Sequence, residues 1–263
     1  GRLLQRAAAR DGTAGGQVIF QSRRPGADLT WAPGGPASRL PRCHVVVALW
    51  GRTAGSATEL AENETLVATS HAVARTCGAH VLVHVSSAAV YGPGHAMTEQ
   101  APLRPASDYA RSKRAVEHAV ARLPADDGIM HCCLRLANVM GADSLAPALT
   151  GSGAVRLDRF PDRRGPIRSY IAASDLLRVL CGLAALPPRR LPAVLNVAAP
   201  APAEMAALAH AAGKEIAWHP APETAVQALT LDTGRLMRLL PGLEMLETAE
   251  QLVTDWTVLE AMT

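Results

Sequence analysis

The sequence predicts an α/β fold built on a doubly wound parallel sheet, and three observations carry that expectation. Short apolar runs rich in β-branched residues alternate with Ala-rich amphipathic segments through the first two thirds of the chain. The runs are continuously hydrophobic, which suits strands covered on both faces. The segments between them have the length of crossover helices, as βαβ units require.

Taken in order, the pattern predicts a helix over Arg2–Arg10, a turn at Gly12–Gly16 and a strand over Gln17–Gln21 (QVIFQ). A strand over His44–Leu49 (HVVVAL), a helix over Thr58–Cys77 and a strand over His80–Val85 (HVLVHV) follow. A helix over Ala106–Leu123, a strand over Met130–Leu136 (MHCCLRL), a helix over Ser174–Leu186 and a strand over Ala193–Val197 (AVLNV) complete the core. Between them, Gly141–Arg168 is rich in Gly, Pro and Arg without periodicity and reads as irregular. Helices are expected over Ala203–Ala212, Thr233–Leu240 and Thr248–Met262, with a short strand near Ile216–Trp218, as a smaller cap on the α/β core.

Composition excludes several classes. At 263 residues, 49% hydrophobic and 19% charged, the chain has the make-up of a folded domain rather than a disordered one. No apolar run approaches the roughly 20 residues of a membrane span, so no membrane partner is expected. A net charge of +3, from 26 basic and 23 acidic residues, is too mild for a nucleic-acid binder. Five cysteines (Cys43, Cys77, Cys132, Cys133 and Cys181) form no C-x-x-C pair and no Cys/His metal spacing, so no metal ligand is expected. That cysteine usage fits a reducing compartment, and Gly1–Arg10 has no signal-peptide pattern, so the expected location is cytoplasmic.

The sharpest chemical feature is Tyr109-Ala-Arg-Ser-Lys113. Four residues of helix turn a side chain through about 400°, so the phenol and the ammonium share one face. An ammonium beside a phenol favours the phenolate and lowers its pKa, and such a tyrosine exchanges a proton with a carbonyl or alcohol oxygen. All but two of the 26 basic residues are arginines, so a lysine at this position points to a need for a compact charge. Upstream, the strand ending at Val85 runs into Ser86-Ser87-Ala-Ala-Val-Tyr-Gly92. Ligands bind beyond the carboxyl ends of parallel strands, where these hydroxyls sit.

S-S-A-A-V-Y-G at 86–92, Glu99 and Y-A-R-S-K at 109–113 together resemble the extended short-chain dehydrogenase/reductase family, the NAD(P)-dependent epimerase/dehydratases. Leu134–Gly141 resembles its R-x-x-N-x-x-G segment, Arg168–Leu176 its R-D-F-I-x-x-x-D-L segment, and Leu195-Asn196-Val197 its Y-N-V strand. The resemblance covers nearly the whole chain and implies a Rossmann-like sheet with a C-terminal cap. It divides the chain into a dinucleotide-binding core at 1–140, a substrate-binding irregular segment at 141–167, a return to the core at 168–200 and a small cap at 201–263. Tyr109 would be the acid/base, Lys113 would lower its pKa and hold the nicotinamide ribose, and Ser87 would polarise the substrate oxygen. Ser86, Leu49, Trp50 and Leu136 would line the cofactor cleft. Tyr91, Asn138 and Arg168 would face substrate, and the cluster Arg156, Arg159, Arg163, Arg164 and Arg168 suits a diphosphate.

The chain departs from the family pattern at its start. Gly1-Arg2-Leu3-Leu4 resembles the third glycine of the phosphate loop and the helix after it. The first strand and the other two glycines are expected to lie outside this sequence. After Phe20 stand Gln21-Ser22-Arg23-Arg24, with no acidic residue for a ribose hydroxyl. Arg23 and Arg24 suit a 2′-phosphate, so NADP is expected ahead of NAD. Ala88-Ala89 stands where the 4,6-dehydratases carry Asp-Glu, which argues against that route.

The resemblance thus implies hydride transfer at a hydroxyl or carbonyl carbon of a small molecule, with a nucleotide sugar as the first candidate and a homodimer as the family's habit. An NADPH-dependent carbonyl reductase acting on a smaller substrate, and a dinucleotide-binding sensor without turnover, are the alternatives.

Overall fold

A parallel ladder forms where β-branched runs lie side by side, and four of the five expected core strands do so. In the computed structural model, which describes residues 1–13, 15–124 and 126–262, they stand in the order Val194–Val197, Met130–Leu136, Val81–Val85, Val45–Ala48. All three pairings are parallel, with Val81 opposite Met130, Val83 opposite Cys132 and Val85 opposite Leu134.

The two-residue period of the strands sorts their side chains between two helical layers. Val81, Val83, Cys132 and Leu134 share one core with Leu3, Leu4 and Ala7 of the helix Arg2–Asp11. The helices Ala173–Ala184 and Ala249–Ala261 belong to the same core. On the opposite face, Leu82 packs with Ala74, and Cys133 packs with Val67, Val116 and Val120. Those partners lie on the helices Ala57–Cys77 and Asp108–Val120. The sheet is therefore covered on both sides, which is why its strands read as unbroken apolar runs.

Local chemistry sets the helix bounds. The Ser56 side chain accepts from the Glu59 amide while the Glu59 carboxylate accepts from the Ser56 amide, a reciprocal cap worth about 1 kcal/mol. The same helix ends at Gly78, left-handed at φ 65°.

The structure corrects the expected strand Gln17–Gln21. Among the described residues it joins no central ladder. Strand hydrogen bonding begins only at Gln21–Ser22, which pairs with Leu29–Thr30 in a separate two-stranded ladder. The Phe20 amide is taken by Asp28 and its carbonyl by the Leu29 amide, so this stretch bonds to the segment just after it, in a short parallel pair. The turn expected at Gly12–Gly16 includes Ala14, which lies outside the described residues.

The stretch expected to be irregular contains the short helix Ala146–Thr150 and the strands Val155–Arg159 and Ile167–Ile171. Ile167–Ile171 sits in a second sheet, ordered Pro202–Glu204, Ile167–Ile171, Ala228–Leu231, Gly94–Met97. Gly141 turns the chain at φ 81°, and a β-carbon there would stand 2.1 Å from Trp256 Cδ1, so only glycine lets the indole lie across this turn. No helix among the described residues is long and apolar enough to cross a membrane.

Candidate active site

The strand Val81–Val85 delivers Ser86 and Ser87 to the carboxyl edge of the sheet, where the chain turns into the short 3-10 helix Ala88–Tyr91. Ser87 caps that helix, its hydroxyl oxygen accepting from the Ala89 amide at 3.2 Å. Beside it starts the helix Asp108–Val120. Ser107 caps it by accepting from the Ala110 amide at 3.1 Å, and Asp108 places negative charge at its amino end. Tyr109 therefore stands in the first turn and Lys113 one turn further along the same face.

Lys113 is buried, and its ammonium donates to the Val85 carbonyl at 2.9 Å while lying 5.9 Å from the centre of the Tyr109 ring. One bond to protein leaves two ammonium hydrogens for a ligand. Burial pulls the Lys113 pKa down to about 8. Burial raises the Tyr109 phenol, with the neighbouring Ser87 hydroxyl acting in the opposite sense. The expected lowering of Tyr109 by Lys113 is thus not seen: desolvation dominates, and the ammonium is turned to a backbone carbonyl.

A direct check follows. The buried ammonium is present below about pH 8 and lost above it. In protein carrying ¹³C-methylated lysines, the Lys113 signal, assigned through Lys113→Met, should titrate with a midpoint near 8. A midpoint at the reference lysine value of about 10.4 would refute the burial argument.

Residues absent from the sequence reading complete the wall. Asn63, buried on the helix Ala57–Cys77, accepts from the Arg52 amide at 2.7 Å. Its amide nitrogen donates to the Arg52 carbonyl at 3.0 Å and to Ser112 Oγ at 3.2 Å. It clamps the loop after Val45–Ala48 onto the helix that carries Tyr109 and Lys113. Gly51 lies within that loop at φ 141°, and a β-carbon there would stand 2.9 Å from Asn63 Oδ1 and 3.6 Å from Lys113 Nζ. A polar residue on the inner face of an amphipathic helix was the available signal for Asn63. Asn63→Ala strands both Arg52 backbone groups and should cost about 1–3 kcal/mol in urea unfolding. A loss within a few tenths of a kcal/mol of zero would disprove the clamp.

Beneath the serine turn runs a buried polar chain. Ser86 donates to Glu117 Oε1 at 2.7 Å, and Arg135 grips both Glu117 oxygens at 2.9 and 2.8 Å. Arg135 also donates to the Tyr91 hydroxyl at 3.0 Å, and that hydroxyl donates to Asn196 Oδ1 at 2.7 Å. Asn196 in turn donates its backbone amide to Glu99 Oε1 at 3.0 Å. Ser86 and Tyr91, expected to line the cleft, thus spend their hydroxyls on this chain.

The other expected residues fall as follows. Trp50 donates its indole N–H to Ser70 Oγ at 2.8 Å, Leu49 is exposed, and Leu136 ends its strand half-buried. Gly1 caps the helix Arg2–Asp11 with no side-chain bond, and Arg23 and Arg24 lie in an exposed turn. Asn138 pairs opposite Tyr170 where the two sheets approach. Arg168 gives its guanidinium to the Ile167, Val226 and Gln227 carbonyls, Arg164 pairs with Glu204 at 2.5 Å, and Arg159 stacks 4.7 Å over the Trp218 ring.

A doubly wound α/β sheet carrying serine, tyrosine and lysine at its carboxyl edge defines a nicotinamide-dependent enzyme class. The family model for the NAD dependent epimerase/dehydratase family matches residues 41–186, more than half of the chain, and the chain belongs to that family. No curated protein sequence matches it. Among solved structures it is similar to MoeE5 in complex with UDP-glucuronic acid and NAD, at 18% identity and TM-score 0.77, covering 99% of this chain and 96% of that one. TunA, an NAD-dependent NDP-hexosamine 5,6-dehydratase, aligns at 20% identity and TM-score 0.76, covering 97% and 93%. A short-chain dehydrogenase/reductase superfamily protein from Agrobacterium tumefaciens with bound NAD aligns at 18% identity and TM-score 0.76, covering 99% and 94%. Likeness at these identities speaks to fold.

Proposed function

We propose that the protein oxidises and re-reduces a carbinol carbon of a nucleotide sugar, with Tyr109 as acid/base, Ser87 orienting the reacting oxygen and Lys113 holding the cofactor. The convergence of these three side chains at the carboxyl edge of the parallel sheet is the observation that carries this reading. The wall fits a nicotinamide ribose: Gly51 leaves room where a β-carbon would press on Asn63, and the Lys113 ammonium keeps two donors beyond its bond to Val85. When bound, the cofactor supplies a hydride acceptor and donor. The Tyr109 phenolate accepts the substrate hydroxyl proton as the carbon–oxygen double bond forms, and the phenol returns it when the bond is reduced. The Ser87 hydroxyl donates to the same oxygen and limits its orientation. Exposed Arg23 and Arg24 support NADP over NAD, which comparative fluorescence titration with NADPH and NADH would decide.

Arg164 and Arg168 are committed to protein partners, which favours as a second reading a carbonyl reductase on a smaller substrate. Incubation with UDP- and dTDP-sugars and catalytic cofactor separates the two. An epimerase interconverts sugars with no net change in reduced-nicotinamide absorbance, whereas a reductase consumes one NADPH per turnover.

A further inference from the structure

The far end of the sheet gathers residues that the proposed chemistry does not use. His71 stands on the helix Ala57–Cys77, His131 near the start of the strand Met130–Leu136, and Asp127 in the turn before that strand. One donor atom from each lies within 4.8 Å of the other two. His71 Nε2 is hydrogen-bonded to Asp127 Oδ2. Asp127 is further pinned by accepting the Ile129 amide on Oδ1 at 3.0 Å. His131 Nε2 is a buried nitrogen with no hydrogen-bond partner. A native fold seldom leaves such an atom orphaned without a reason.

We propose that His71, Asp127 and His131 form a site for a divalent transition-metal ion of the zinc class. Two imidazoles and one carboxylate are a donor set of borderline softness, suited to Zn²⁺ and unlike the all-oxygen cages of Mg²⁺ and Ca²⁺. Ligation at about 2.0–2.2 Å brings tetrahedral donor atoms to roughly 3.4 Å from one another. The side chains close to that spacing by small rotations, the Asp127 carboxylate moving with its turn. The ion takes the place of the proton shared by His71 and Asp127.

The surroundings supply an outer partner. His84 lies on the neighbouring strand with its Nε2 at 3.3 Å from His131 Nδ1. His131 donating Nδ1–H to His84 places the His131 lone pair on Nε2, the orphaned nitrogen. His84 is buried on the strand beside His131 and offers its Nε2 as that acceptor. His71 and Asp127 are each 13% exposed, so solvent reaches the open side and completes the coordination.

The three ligands sit towards the amino ends of the strands, and His84, two residues before Ser86, stands between them and the edge that carries Ser87 and Tyr109. Along the strand, five residues separate His131 from Leu136, roughly 16 Å. The ion's role is therefore structural: it ties the turn carrying Asp127 to a helix and to the sheet. Spacing along the chain gives no hint of it, because His71 and Asp127 are 56 residues apart and the fold alone assembles them.

The test is calorimetric titration of the chelator-treated full chain with ZnCl2, alongside Co²⁺ absorption. One equivalent should bind and raise the unfolding midpoint. His131→Gln and Asp127→Asn should each weaken binding at least tenfold, as should His71→Gln, on the helix rather than the strand and chosen in case His131→Gln fails to fold. His95→Gln, far from the site, should bind as the parent does. The Co²⁺ complex should show the visible d–d bands of a four-coordinate ion without a thiolate charge-transfer band. No binding by the folded chain, binding that survives His71→Gln and Asp127→Asn, or a thiolate band pointing to Cys43 and Cys77 would each overturn the proposal.

Discussion

Tyr109→Phe should reduce turnover about 10²–10⁴-fold, the usual contribution of a positioned acid/base. The variant removes one oxygen from a half-buried ring whose neighbours, Ser87 and Lys113, keep their own bonds to the Ala89 amide and the Val85 carbonyl. Folding and dinucleotide affinity should therefore stay within about twofold of the parent, so the loss is confined to kcat. Because burial raises the phenol in the free protein, the parent's kcat/KM should rise with pH as the phenolate forms. Tyr109→Phe should abolish that limb. Retention of more than a tenth of the parent turnover would remove Tyr109 from the chemistry and with it the proposed reaction.

The second large effect concerns stability. Arg135→Met should cost about 3–5 kcal/mol, because it leaves the Glu117 carboxylate buried with only Ser86 and the more distant Arg114 for company. The same variant strands the Tyr91 hydroxyl and the Glu99 carbonyl, both of which accept from Arg135 at 3.0 Å. The double variant Arg135→Met/Glu117→Leu should recover part of the loss, since an absent pair is cheaper than a broken one. Urea unfolding of the three proteins reads this directly, and a single-variant loss under 1 kcal/mol would show that the ion pair does not anchor the serine turn.

How much was legible in the sequence depended on the range of the interaction. The Tyr109–Lys113 face is a four-residue relation within one helix, and helix geometry alone places it. The strands Val81–Val85 and Met130–Leu136 were legible because burial on both faces writes a continuous apolar run. Gln17–Gln21 has the same composition and forms no central strand, because a strand exists only through a neighbour and this stretch bonds to Asp28 and Leu29 just after it. Gly94–Met97, with no β-branched residue, becomes a strand through its pairing with Ala228–Leu231. Asn63, Glu117 and the His71–Asp127–His131 cluster depend on contacts across many tens of residues or between separate elements, which no local pattern records. Of the expected arginine clamp, Arg164 pairs with Glu204 at the surface and Arg168 with backbone carbonyls, contacts that no local pattern of arginines records.

The helix Ala249–Ala261 closes over the helix Arg2–Asp11, with Glu260 bound to Arg6 at 2.9 Å and Asp255 to Arg10 at 2.7 Å. These contacts join residues as far as 254 positions apart, and Trp256 of the same helix lies across Gly141, three residues after Asn138. Closing this seam brings together segments far apart along the chain over Leu3, Leu4 and Val83, a non-local step of the kind that slows folding.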